Sequence, residues 1–185
     1  MNKKILIGVV VVTLLVIAYI FSTYNSLVTL GLNADTQWKQ VETNYQRRFD
    51  LIPNLVESVK GAMGQEKEVF TAIADARTKY SGATTANEKA VAAGQVESAL
   101  ARLLVVVENY PVLKSTDIVV TLMSQLEGTE NRISVERMRF NDMVKAYNLK
   151  VMRFPSSIVA SVFGFDEKAF FEAVKGAEVA PAVKF

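Results

Sequence analysis

The side chains able to do chemistry in this chain are arginines, carboxylates, asparagines, tyrosines and serines, because its 185 residues include neither histidine nor cysteine. That composition excludes a cysteine nucleophile, a Ser-His-Asp relay, a thiolate or imidazole zinc site, a disulfide and a lipid-bearing cysteine. No Ser-x-x-Lys spacing occurs, so that compact Ser-Lys pair is missing, and neither Gly-x-x-x-x-Gly-Lys nor Gly-x-Gly-x-x-Gly is present to cradle a phosphate. Glu127 with Glu130, or Glu66 with Glu68, could face a hard cation. Such pairs are common on solvated helix faces, and calcium sites converge more oxygens from a loop. The expectation is a protein that is not an enzyme, with no catalytic residues, no cofactor and no metal.

What stands out instead is charge beside apolar stripes. In residues 44–50 (NYQRRFD), Arg47 and Arg48 adjoin such a stripe, and Arg48 falls three after Tyr45 and seven before Leu55, on the side that should be buried. The pattern recurs where Glu130, Arg132, Glu136 and Arg137 surround Ile133, while Asn141 and Asn148 bracket Tyr147. A buried cation without its carboxylate is strongly unfavourable, so these residues predict an interhelical polar network that fixes register, with Arg47 or Arg48 paired to Glu130 or Glu136. A partner-binding groove or a small-molecule site is the competing reading of the same side chains.

The elements that must position them read as long helices. Apolar residues recur every three or four positions from Trp38 to Tyr80, and steps of seven from Trp38 land on Tyr45, Ile52, Val59, Glu66, Ile73 and Tyr80. Pro53 interrupts this rod without ending it and predicts a kink near residues 50–53. After a break at residues 81–85 (SGATT), Thr85 and Glu88 are spaced as a capping box, so a second helix is expected to open near Ala86 and stop at Pro111. A third opens near the Ser115-Thr116-Asp117 cluster and closes at Phe154-Pro155. A fourth is broken: an apolar piece at residues 158–163, a bend at Gly164, then a helical piece over 166–174. No segment alternates with period two. The fold class is therefore all-α: an N-terminal transmembrane helix followed by an antiparallel bundle of three long rods with a broken fourth helix.

Residues 5–21 (ILIGVVVVTLLVIAYIF) are free of charge, and none appears until Asp35. A helix over residues 5–26 is about 33 Å long, enough for a hydrocarbon core of about 30 Å. Tyr19 and Ile20 after Ala18 deny a signal peptidase its second small residue, so an uncleaved signal anchor is expected. The domain reading is a short basic N-terminus at 1–4, the anchor at 5–26, the bundle at 27–178 and an extended tail at 179–185. Lysines and arginines number 21 against 19 acidic residues, and without Lys3 and Lys4 the count is 19 against 19. A body so balanced argues against nucleic acid as a partner. Lys3 and Lys4 place the N-terminus in the cytoplasm and the bundle outside it, as a single-pass protein of the bacterial cytoplasmic membrane.

Several stretches carry a family resemblance: YNSLV at 24–28, QRRFDLIPNLVESVKG at 46–61, ENYPVLK at 108–114, LEGTENRI at 126–133, YN at 147–148, FP at 154–155 and the closing VKF at 183–185. Together they resemble the LemA family of bacterial membrane proteins over nearly the whole chain. Departures are small: Phe49 stands where tyrosine is frequent, and Phe140 is the aromatic ring before Asn141. The resemblance implies one membrane helix, a soluble bundle of long antiparallel helices and no established enzymatic activity. It also implies a cytoplasmic bundle, opposite to the charge rule, which we follow. Relatives in magnetic bacteria are linked to shaping an internal membrane and others are encoded beside membrane proteases. A scaffold or adaptor that forms a homo-oligomer or docks a membrane protein such as a protease is therefore expected. Direct membrane remodelling is the alternative, in which Phe163, Phe165, Phe170 and Phe171 touch lipid or a partner.

Overall fold

The computed structural model describes residues 3–60 and 67–171. Every regular element among them is helical: α1 (Lys3–Lys60), α2 (Lys67–Gly82), α3 (Ala86–Glu108), α4 (Pro111–Lys114), α5 (Asp117–Met152) and α6 (Ser156–Phe163). The protein is all-α, with an apolar N-terminal helical segment and several long helices in bundle-like packing. Contacts divide it into two units, the described residues of Trp38–Met138 with Phe171–Phe185, and those of Met1–Gln37 with Arg139–Phe170.

The larger unit is built from seams of alternating three- and four-residue steps. On α1 the positions 38, 41, 45, 48, 52, 55 and 59 are all buried, and all but Arg48 are Trp, Val, Tyr, Ile or Leu. On α5 the positions 119, 122, 126, 129 and 133 are buried in the same rhythm. Such spacing keeps one stripe of each rod turned towards its neighbours. Pro53 lies inside α1, which continues past it to Lys60. α2 and α3 pack as a hairpin, and the turn between them is closed by the expected capping box. The Thr85 hydroxyl accepts the Glu88 N–H at 3.2 Å, and Glu88 Oε2 accepts the Thr84 and Thr85 N–H groups at 2.9 and 3.0 Å. These bonds pull the Glu88 carboxyl down to about 2, the Thr85 backbone contact contributing most.

The rod expected from Trp38 to Tyr80 is helical where it is described, in α1 through Lys60 and in α2 from Lys67; Gly61, Met63 and Glu66 lie outside the described residues, as does the tail at 179–185. Two features differ from the expectation. Pro111 does not simply stop α3: it opens a single turn, α4, at the first helical position, where its missing N–H costs nothing. The helical piece expected from 166 is not helical through Phe171, and 172–174 lie outside the described residues. The physical reason is in the smaller unit. Asn148 on α5 donates Nδ2 to the Lys168 carbonyl at 2.8 Å and accepts the Lys168 N–H on Oδ1 at 2.9 Å, taking both backbone groups a helix would need. Upstream, Gly164 holds φ 71°, and the Gly164 and Phe165 N–H groups both close onto the Ala160 carbonyl.

The core of the smaller unit is Leu27, Tyr147 and Ala160, with Leu30, Val151 and Phe165 packed against it. Lys168 adds an ion pair to Asp35 at 2.7 Å, its Nζ lying 5.6 Å from the Tyr147 ring centre.

Candidate functional site

Among the described residues two places depart from ordinary packing, one in each unit. In the larger unit the seams of α1 and α5 each bring a guanidinium inward, Arg48 three residues after Tyr45 and Arg137 four after Ile133. Arg48 is 8% exposed. Its Nη1 donates to Glu130 Oε2 and lies 3.7 Å from Glu97 Oε1 on α3. Arg137 Nη2 donates to Glu97 Oε1 and to the Tyr45 hydroxyl, which in turn lies 3.5 Å from Glu97 Oε1 and donates to it. Two cations thus meet two anions, with a phenol bridging one pair. The Nε atoms of both arginines are buried without an acceptor among the described residues, so each guanidinium is held by its terminal nitrogens.

Aromatic rings wall this layer. The Arg137 guanidinium carbon stands 5.2 Å from the Tyr45 ring centre and 4.6 Å from that of Phe171, where ring quadrupoles favour a cation. Phe49 and Tyr80 meet edge to face at 4.6 Å, and Tyr45 lies 5.7 Å from each. Burial, followed by the Glu97 charge, pushes the Tyr45 phenol above its ordinary value and outweighs the pull of Arg137; burial likewise raises Tyr80. Both hydroxyls stay protonated. Burial pushes Arg48 down, against the opposing pull of Glu97. Burial also pushes Glu42 up, but hydrogen bonds from Lys39 and Lys89 outweigh it and leave its carboxyl below the usual range.

Of the residues singled out from the sequence, the structure brings Arg48, Glu130 and Arg137 into this layer. Arg47 and Arg132 lie exposed, and Glu136 is half-buried beside Arg137. The sequence reading did not single out Glu97 or the Tyr45 hydroxyl. A signal for Glu97 existed: it stands four after Ala93 and three before Leu100, both buried, so an acid occupied the inward face of α3. Among the described residues no group of three or more Asp or Glu is arranged to hold a metal ion. Chemically, the layer is a matched set of charges whose geometry locks α1, α3 and α5 in register.

In the smaller unit the distinctive feature is uncovered apolar surface. No residue of the most apolar window of α1 is buried, and Val12, Leu15 and Val16 are 60%, 65% and 52% exposed. On α6, Phe163 is half exposed and its ring meets Tyr24 at 5.1 Å; Phe165 is turned inward, 5.5 Å from the same ring. Phe170 is exposed. Phe171, in the other unit, is half-buried 6.2 Å from the Trp38 ring centre.

A helical-bundle protein with an unburied apolar N-terminal helix is the class these features define, and they fit association with a membrane. The chain belongs to the LemA family, whose model matches residues 37–185. Two curated relatives, the magnetosome proteins MamQ 2 and MamQ 1 of Paramagnetospirillum magneticum, are each 26% identical over 182 residues, covering 84% of this chain and 67% of theirs. The magnetosome protein MamQ of Magnetospirillum gryphiswaldense is 27% identical over 174 residues, covering 80% of this chain and 64% of its own. The chain spans about two thirds of the length of these relatives.

Proposed function

We propose that this protein is a single-pass, membrane-anchored helical scaffold or adaptor that self-associates or docks partner proteins at the bacterial cytoplasmic membrane and carries out no catalysis. The observation that supports it most is the unburied apolar window of α1, taken together with the matching of inward-facing charges in the larger unit. A helix of that length and composition finds its cover in hydrocarbon. Residues 5–26 are the anchor in this reading, uncleaved, and the cations at Lys3 and Lys4 put the N-terminus in the cytoplasm and the bundle outside it.

Two measurements test the proposal. Chemical crosslinking in native membranes is expected to trap assemblies above the monomer; monomer alone would remove self-association and leave only the adaptor role. Because the chain has no cysteine, a single Cys placed at Lys79 reports its side of the membrane. Labelling by an impermeant maleimide on spheroplasts agrees with an outside bundle, and labelling only after lysis reverses the orientation.

Direct membrane remodelling is the second reading. It is favoured by the exposed apolar face of α6 and by likeness to proteins named for the magnetosome. Full-length protein reconstituted into large vesicles would then tubulate or constrict them in electron micrographs.

A further inference from the structure

The uncovered apolar residues of the smaller unit are gathered in one place. Residues 154–165 (FPSSIVASVFGF) form a run without charge, entered from Arg153 and left through Asp166. Within it α6 turns Val159 and Ala160 inward and leaves Ile158, Val162 and Phe163 at 57%, 74% and 50% exposure. Between α6 and α1 lies an open groove of about 450 Å³, lined by Val12, Leu15 and Val16 on one side and Ile158, Val162 and Phe163 on the other. No ionisable group other than the Tyr19 phenol lines it.

Depth decides what fills that groove. If residues 5–26 cross the bilayer, then 12–20 are its central and following turns, and any element beside them sits in hydrocarbon too. We propose that α6 and its flanks form a second membrane-inserted element, dipping into one leaflet beside the anchor, and that the groove between them holds a lipid acyl chain. This rests on the membrane-anchor reading above and adds a second contact to it.

The backbone is prepared for such an environment, where an unpaired N–H or C=O is costly. At the start of α6, Pro155 has no N–H to leave unpaired, Ser157 N–H donates to the Arg153 carbonyl at 2.7 Å and Ile158 N–H to the Pro155 carbonyl at 3.3 Å. The Ser156 hydroxyl lies 2.7 Å from the Lys150 carbonyl and 2.8 Å from that of Arg153. At its end, Gly164 and Phe165 N–H groups share the Ala160 carbonyl. With eight residues, α6 is about 12 Å long, too short to span, so it enters and returns on one side. The exposed Arg153 can bury its stem and keep its charge at the headgroups.

Spin labels on single cysteines test this in the full chain, reconstituted into phosphatidylcholine–phosphatidylglycerol vesicles. Labels go at Val10→Cys on the anchor, Val162→Cys on α6 and Val91→Cys on α3, all exposed positions. The expected result is that dissolved oxygen relaxes the labels at 10 and 162 severalfold more than a water-soluble nickel chelate does, with the reverse at 91. A label at 162 relaxed by nickel while that at 10 prefers oxygen overturns the insertion of α6 and leaves the anchor standing. Nickel access at both 10 and 162 overturns the anchor as well. A label at 162 immobilised and shielded from both reagents would mean that protein, such as a second copy, covers α6, and that too overturns the lipid assignment.

Discussion

In the larger unit a seam that is apolar at Trp38, Val41, Tyr45, Ile52, Leu55 and Val59 admits one cation, Arg48, and meets it with carboxylates. In the smaller unit α6 carries no charge and leaves Ile158, Val162 and Phe163 uncovered. The larger unit answers its costly groups internally: two guanidiniums against two carboxylates, with rings around them. The smaller unit leaves apolar area for which only surroundings of the same kind supply cover. The difference separates residues that hold the fold from residues that face outward, and it can be broken at either end.

The largest effect is expected at Glu97. Replacing it with Gln keeps the shape but removes the carboxylate charge that both Arg48 and Arg137 reach. Uncompensated buried charge costs on the order of 3 kcal/mol, and thermal unfolding of the full chain in detergent, followed by circular dichroism, reads it. Glu130→Gln should cost less, about 1 kcal/mol, because that carboxylate side chain is 40% exposed and water takes up part of its role. If the two losses were equal, the layer would not be organised around Glu97. Arg48→Met with Glu130→Gln should recover part of the single-mutant loss, as coupled partners do.

The second effect lies in the smaller unit. Asn148→Leu removes both bonds to the Lys168 backbone and should cost about 1–2 kcal/mol. Hydrogen exchange of the Lys168 amide and proteolysis within residues 165–171 should both accelerate. An unchanged exchange rate would mean that Phe165 and the Lys168–Asp35 pair hold the segment without the clamp.

These two sites also mark where the sequence was legible. The seam of α1 could be read because Trp38, Tyr45, Ile52 and Val59 repeat a spacing that local geometry alone turns to one face. The opening of α3 could be read because a capping box lies within four residues. The charge of Arg48 on the buried side points to a carboxylate partner, but Glu97 is a single acid among the apolar residues of α3 and stands out only against the burial of Ala93 and Leu100. The non-helical course after Gly164 was not legible, since Asn148 and Lys168 are twenty residues apart and the bond between them is a tertiary event. A run such as residues 166–171 has helical composition; a distant side chain took its backbone groups first.

A smaller effect follows pH. The folded Glu88 carboxyl sits at about 2, against an ordinary 4.5. A depressed carboxyl stabilises the fold fully above the unfolded value and loses that contribution as pH falls from 4.5 towards 2. The difference in melting temperature between the native chain and Glu88→Gln should therefore be constant near neutrality and shrink across that window. A difference that persisted at pH 2 would assign it to the shape of the residue and not to its charge.

The smallest effect uses one substitution with opposite signs in the two units. Gly128 sits exposed inside α5, and a Cβ there would meet nothing within 4 Å. Alanine removes the entropic penalty of a mid-helix glycine, so Gly128→Ala should stabilise by about 0.5–1 kcal/mol. Gly164 is equally open, but its φ of 71° is left-handed, so Gly164→Ala should destabilise by about 1 kcal/mol despite the free space. Paired melting curves in detergent compare the two directly. If Gly164→Ala were neutral, the left-handed stop would not be what turns Phe165 back into the core with Leu27 and Tyr147. The return of the chain after α6 would then rest on the Asn148 clamp, the Lys168–Asp35 pair and the packing of Phe165.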